Sequence, residues 1–348
     1  MIRSLAIVAT AAFAAACQTV PQQPVALLGV PCMTPPPNHC PDTACPGALT
    51  SAPGNAIDQR SEDKRAWYLD YPCDLKPGED VTFVLNLHGG GSIANWQRHY
   101  FPIMDFKEKY RLVVATPYGP GGIWQGPRDD QHLRNIVEDV ENAVGKENIK
   151  AFWLAGHSFG GQTSNRLIMN DPFFQERVDG WVSLSGGRLG SRREDVRAPI
   201  PGRAPPAAPA TPAATPAARP PAGGLAADAS VLPAKPFSFI YEAGEHEYTS
   251  AGVPKESRWA QKLGCGPQSA PREVVDTKAG YVYDGRTQEN RNKVWGLDPR
   301  PGKALIWTYP NCSDGRIVAD ISRLDKGHTE GLEPAITEEI IKLMLAAR

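Results

Sequence analysis

The chain has almost no net charge. Lys and Arg number 37 against 38 Asp and Glu, leaving −1 over 348 residues. Without a cationic excess there is no field to attract a polyanion, so nucleic acid is not an expected partner. The basic pair Arg192-Arg193 is too short to be a binding patch and reads as a solvated loop. Histidine is also scarce, at seven residues. Cys32, Cys40 and Cys45 have only His39 nearby, and their spacing is not that of a zinc ribbon. No metal and no organic cofactor is expected. The N-terminal apolar run, Leu5 to Ala16, is too short to span a bilayer. With Arg3 ahead of it, residues 1–16 read as an export signal. Residues 17–60, rich in Pro, Gln, Thr and Ala, lack any periodicity and read as a tether or loosely stapled arm.

Small residues lead into Cys17 as Ala14-Ala15-Ala16. The pattern resembles a bacterial lipobox, with Ala14 where Leu is usual. Lipidation of Cys17 is therefore expected, with an ordinary cleavage near Ala16 as the alternative. The domain would touch the membrane only through that anchor, in the bacterial cell envelope, or be periplasmic or secreted. Cysteine usage agrees with export. Of seven Cys, removing Cys17 leaves six, an even number suited to disulfides, and six allow 15 pairings.

Hydrophobic residues make up 41% of the chain, and its length suffices for one large α/β domain, expected over 61–348. A second low-complexity stretch, 193–233, is so rich in Pro and Ala that neither helix nor sheet can form there. It reads as a disordered insertion, dispensable for folding, because the segments on either side supply one catalytic set. Elsewhere strand-like and helix-like signals alternate. Val81–Leu87, Leu112–Thr116, Ala151–Ala155, Trp181–Leu184, Phe237–Tyr241 and Arg316–Ser322 read as strands. Asp130–Ile149 has helical periodicity, a helix follows Ser158 through Met169, and Pro334 opens a last one. The pattern predicts an α/β fold: a mostly parallel central sheet with helices on both faces.

Gly156-His157-Ser158-Phe159-Gly160 matches Gly-x-Ser-x-Gly between a strand and a helix. A sharp turn there lifts the Ser oxygen clear of the sheet, and the flanking glycines let neighbouring backbone pass. His88-Gly89-Gly90-Gly91 follows an earlier strand. Such a loop offers a backbone N–H to a developing oxyanion, here from Gly90 or Gly91, and Phe159 offers a second. A Ser hydroxyl needs a base, which comes last in the chain in this arrangement. His328 lies between a strand and the final helix; His39, His99, His132 and His157 are less well placed. The orienting acid belongs between Ser158 and His328, just past a strand, where Glu247 and Glu245 both stand; Asp276 and Asp284 are more distant alternatives.

From Val81 to His328 the chain resembles the polyhydroxybutyrate depolymerase and feruloyl esterase group of the α/β-hydrolase superfamily. The shared pieces are Leu87-His88-Gly89-Gly90-Gly91, Arg128-Asp129-Asp130 before an amphipathic helix, and Gly156-His157-Ser158-Phe159-Gly160-Gly161. In that group a strand ends in Gly-x-x-Asp, which corresponds to Gly244 through Glu247 and favours Glu247 as the acid. The resemblance also implies a Cys265–Cys312 disulfide. This chain departs from the group in having Glu for Asp, in His328-Thr329-Glu330 where His-Thr-Trp-Pro is frequent, and in its Pro/Ala insertion. The implied activity is hydrolysis of carboxylic esters through an acyl-enzyme, on small-molecule, polysaccharide or polyester substrates bearing feruloyl, acetyl or hydroxyalkanoate groups. Trp96, Trp124 and Tyr118 are candidates for an acyl pocket or for core. A serine peptidase of the same fold is the rival enzyme. A non-catalytic glycan-binding lipoprotein is the other rival, against which a complete Ser, His and acid set argues.

Overall fold

Val81–Leu87 carries only two polar residues, Thr82 and Asn86, and forms a strand buried at all seven positions. A strand apolar on both faces needs cover on both sides, and that need organises the molecule. The computed structural model describes residues 26–40, 54–197, 231–282 and 292–347. The expected export signal with Cys17, Cys45, Asp284 and all but the ends of the Pro/Ala insertion lie outside the described residues.

The strands are β1 (Ala56–Ile57), β2 (Ala66–Asp70), β3 (Val81–Leu87), β4 (Leu112–Pro117), β5 (Ile149–His157), β6 (Gly180–Leu184), β7 (Ser238–Gly244), β8 (Arg272–Asp276), β9 (Gly302–Thr308) and β10 (Val318–Leu324). They form one sheet in the order β1-β2-β4-β3-β5-β6-β7-β10-β9-β8. From β4 to β10 along that order all neighbours pair in parallel, while β1, β2, β9 and β8 join antiparallel at the two edges. The helices are α1 (Ala94–Tyr100), α2 (Lys107–Tyr110), α3 (Pro127–Val144), α4 (Phe159–Asn170), α5 (Pro172–Arg177), α6 (Arg193–Val196), α7 (Arg258–Lys262) and α8 (Pro334–Ala346).

The period-two alternation of each strand divides the core into two. Phe83, Leu85, Phe152, Leu154, Trp181, Phe239 and Tyr241 point to one face, under Leu133, Ile136 and Val140 of α3 and Leu167 of α4. Val84, Val114, Trp153, Val182 and Ile240 point to the other, under Trp96 and Tyr100 of α1 and Ile336, Ile340 and Met344 of α8. Side chains on alternate residues of a strand face opposite sides, so an unbroken apolar run becomes two half-cores.

The tether or loosely stapled arm expected over 17–60 is, where described, packed onto the domain. Leu27 and Val30 are buried in the first core. The Cys40 N–H donates to His99 Nε2 (2.8 Å) and Arg98 donates to Pro37 O (2.8 Å). Cys32–Cys73 closes a disulfide between this arm and the loop after β2. Periodicity could not reveal this, because the arm is held by backbone hydrogen bonds and a crosslink rather than by an amphipathic face. The beginning of the expected insertion also differs. Val196 and Arg197 are built into the domain, with the Thr249 N–H donating to Val196 O (3.0 Å). Cys265–Cys312 is a disulfide as well. Among the described residues no helix is long and apolar enough to cross a membrane.

Candidate active site

Parallel strands deliver their C-terminal ends to one edge of a sheet, where α/β folds hold their ligands. Here His88 follows the end of β3, Ser158 the end of β5 and Ser185 the end of β6, while Glu247 and His328 lie in the short loops after β7 and β10. These five strands are consecutive neighbours in the sheet, so residues scattered over 240 positions of sequence converge (from 88 to 328).

Ser158 sits between β5 and α4 with φ 50° and ψ −111°. That region is disfavoured for a residue with a Cβ and costs about 1–3 kcal/mol. The turn survives because the surrounding glycines permit close packing. A Cβ on Gly156 would lie 2.4 Å from the Gly160 carbonyl carbon, and one on Gly160 would lie 2.3 Å from Leu87 O. The Ser158 N–H donates to Leu184 O (2.8 Å), tying the turn to β6.

Ser158 Oγ lies 2.8 Å from His328 Nε2. His328 Nδ1 lies 2.6 Å from Glu247 Oε2. An ionised carboxylate only accepts, so Nδ1 carries the proton and Nε2 is left to accept from the Ser hydroxyl. Glu247 is 1% exposed. Its Oε1 accepts from the Ser185 hydroxyl (2.6 Å) and the Gly244 N–H (3.0 Å). Arg197 donates to its Oε2. Burial alone would raise the Glu247 carboxyl, but the Arg197 guanidinium, His328 and these hydrogen bonds together hold it well below the usual carboxylate range.

Strand order, the buried parallel centre and a strained Ser turn opening α4 are one architecture. The chain has the α/β-hydrolase fold. No protein-family model matches it, and no curated protein sequence matches it. Solved structures similar to it include an acetyl xylan esterase from Aspergillus awamori, at 14% identity over 83% of this chain and 97% of that one, with a TM-score of 0.44. A fluorophosphonate-binding serine hydrolase of Staphylococcus aureus is similar at 16% identity over 36% of this chain and 52% of that one, with a TM-score of 0.29. Esterase 2 of Thermogutta terrifontis in its apo form gives 13%, 54% and 70%, with a TM-score of 0.36. The chain spans about half the length of the staphylococcal hydrolase it matches (52%).

The two acid candidates are separated by tertiary position. Glu245 is exposed, and its carboxylate accepts from the Asp325 N–H (2.8 Å). Glu247, two residues later in the same short turn, points inward to His328. Asp276 accepts from the N–H groups of Lys278 (2.8 Å) and Ala335, capping α8. The other histidines are engaged elsewhere: His39 with Asp105 (2.9 Å), His132 with Asp58 (2.8 Å) and His99 with Asn95 O (2.7 Å). His157 has a supporting place. It is buried against Tyr100 (ring centroids 4.0 Å apart), and its Nε2 donates to His328 O (2.8 Å). Burial and the nearby His328 push it well below the ordinary histidine value, so it is a neutral donor that fixes the backbone of His328.

For the oxyanion, the structure narrows the alternatives. The Gly91 N–H donates to Gly122 O (2.8 Å) and is spent there, which removes Gly91 as the donor. Gly90 lies beside Phe159, with a Cβ placed on it 3.6 Å from Phe159 Cβ. Of the expected donors, Gly90 and Phe159 remain as the candidates beside Ser158. The loop is rigid at its root. His88 is fully buried, its Nε2 accepts from the Gly119 N–H (2.9 Å), and its carbonyl accepts from Trp124 Nε1 (2.9 Å).

The aromatic candidates divide. Trp96, in α1, and Trp124 are fully buried and belong to the core and loop support. Tyr118 is 38% exposed. The aromatic beside the site is one the sequence reading missed. Trp295, partly exposed, lies 5.1 Å from the His328 ring, and its carbonyl accepts from the Thr329 N–H (2.8 Å). Ser185 and Arg197 were missed as well. Ser185 follows a predicted strand and was open to the same strand-end reasoning; Arg197 fell inside a stretch judged by its Pro and Ala content.

Proposed function

We propose that this protein is a serine hydrolase of carboxylic esters that works through an acyl-enzyme. The observation that carries the reading is the Ser158–His328–Glu247 alignment, 2.8 Å and 2.6 Å, at the C-terminal edge of the sheet. In this mechanism His328 Nε2 takes the hydroxyl proton as Ser158 Oγ bonds to the ester carbonyl carbon. The carbonyl oxygen becomes an oxyanion held by the N–H groups of Gly90 and Phe159, the latter at the positive end of α4. The imidazolium, stabilised by Glu247, returns its proton to the alcohol oxygen as the carbon–oxygen bond breaks. Water then repeats the sequence on the acyl-enzyme, releasing the acid and restoring Ser158.

Feruloyl, acetyl and hydroxyalkanoate esters are the proposed substrate classes, on the sequence resemblance. Purified protein is expected to hydrolyse a short-chain aryl ester and one class of a panel holding feruloyl, acetyl-xylan and hydroxybutyrate esters. No turnover of any ester would overturn the reading. The proposal extends to export and to lipidation at Cys17, from the Ala14-Ala15-Ala16-Cys17 pattern. Mass spectrometry of the mature N-terminus is expected to find an acylated Cys17, and an unmodified peptide beginning elsewhere rules the anchor out.

A further inference from the structure

A third charged group sits on the Glu247–His328 pair. Arg197 lies near the start of the 193–233 stretch and is held in place by its own backbone, which forms a β-bridge to Tyr248. Its side chain is only 8% exposed. One guanidinium nitrogen donates to Ser185 O (2.6 Å). The other donates to Glu247 Oε2 and lies 2.9 Å from His328 Nδ1. Nδ1 cannot accept from it while carrying the proton shared with Glu247, so two donors converge on one carboxylate oxygen. The other oxygen is occupied by Ser185 and Gly244.

In a Ser–His–acid set with no such cation, the imidazolium formed during acyl transfer meets a full negative charge. Here Glu247 and Arg197 sum to zero before His328 takes a proton. The other titratable groups facing the pair are neutral or already paired. His157 of β5 is neutral by burial. Tyr100 of α1 and Tyr241 of β7 are kept protonated by burial. Glu242 of β7 is committed to Arg323 (2.6 Å). Among these groups the guanidinium is the fixed charge on the Nδ1 side.

We propose that Arg197 is a positioning residue of the acid–base pair: it clamps the Glu247 carboxylate and, by facing Nδ1 with a permanent positive charge, makes the His328 imidazolium harder to form, so that His328 remains a free base at lower pH. The proposal rests on the reading of Ser158, His328 and Glu247 as the catalytic set. Removing the cation has two consequences with the same sign. The imidazolium becomes easier to form, and the buried Glu247 carboxyl becomes easier to protonate. Both move the acid limb of activity to higher pH.

The test compares kcat/KM against pH for wild type, Arg197→Met and Arg197→Lys, with a chromogenic short-chain aryl ester. The acid limb of Arg197→Met is expected to rise by about one pH unit or more, the low end of what a charge at this range exerts. Arg197→Lys, which keeps the charge, is expected to hold the limb near wild type. A limb that stays put in Arg197→Met, with activity lowered uniformly, would overturn the proposal and leave Arg197 a structural clamp. A second measurement needs no turnover: NMR titration of the His328 imidazole in wild type, Arg197→Met and Arg197→Lys. The midpoint is expected to rise by about one pH unit in Arg197→Met and to stay near wild type in Arg197→Lys; equal midpoints in all three overturn the proposal. A protein that hydrolyses no ester would instead sink the functional reading, and the titration still decides the effect of Arg197.

Discussion

Replacing Ser158 by alanine is expected to lower kcat/KM on a short-chain aryl ester by about four to six orders of magnitude. In the proposed mechanism the hydroxyl oxygen is the atom that bonds to the acyl carbon, and nothing else at the turn can take its place. The fold should hardly notice. The backbone bond from Ser158 N–H to Leu184 O (2.8 Å) does not involve the side chain, and alanine carries the same Cβ at the same positive φ. Circular dichroism and a melting curve close to wild type are therefore expected beside the lost activity. Activity within tenfold of wild type would end the assignment of Ser158 as nucleophile.

Glu247→Gln is the second large effect, with an expected loss of about four orders of magnitude in kcat. An amide can present either its oxygen or its N–H₂ to Nδ1, and the second choice forces the wrong tautomer on His328. Charge is lost too, so the imidazolium is no longer stabilised. The substitution also strands Arg197, whose carboxylate partner is fully buried; breaking such a pair costs about 3–5 kcal/mol of stability. Folding must then be verified at the assay temperature, and a loss of activity counts only in protein that is still folded. Glu245→Gln supplies the contrast. Its carboxylate is exposed and caps the Asp325 N–H (2.8 Å), so activity within about threefold of wild type is expected, as for a surface change away from the chemistry. A severe loss in Glu245→Gln with Glu247→Gln near wild type would reverse the assignment.

Much of the scaffold was legible because local pattern and final structure agree. Val81–Leu87 was predicted as a strand over the same residues that form it, since a seven-residue apolar run between turn residues has few other uses. The helix predicted over Asp130–Ile149 lies at Pro127–Val144. Its true start is set by Pro127 at the first turn and its end by Gly145 at φ 89°, both helix-boundary residues that apolar periodicity alone passes over. The edge strands β1, β2, β8 and β9 escaped prediction. β8, Arg272–Asp276, is mostly exposed, with only Asp276 buried, so it has no apolar face to announce it and exists through pairing with β9.

The amino-acid sequence by itself determined the alternation of buried strands and amphipathic helices, the strand–Ser158–helix turn with its obligatory glycines, and the placement of His328 past the last parallel strand. These depend on contacts between near neighbours or on a hydrophobic period, which a linear reading contains. Tertiary structure alone decided the rest. It set Glu247 rather than Glu245 beside His328, because two residues of a short turn differ in which one faces the sheet edge. It engaged the Gly91 N–H with a carbonyl 31 residues away (Gly122). It brought Trp295 beside His328 and Arg197 onto Glu247, and it drew the Cys32 arm onto the domain. Each of those is a contact between segments far apart in the chain, made by groups whose local surroundings carry no period, and only the folded path of the backbone sets their distance.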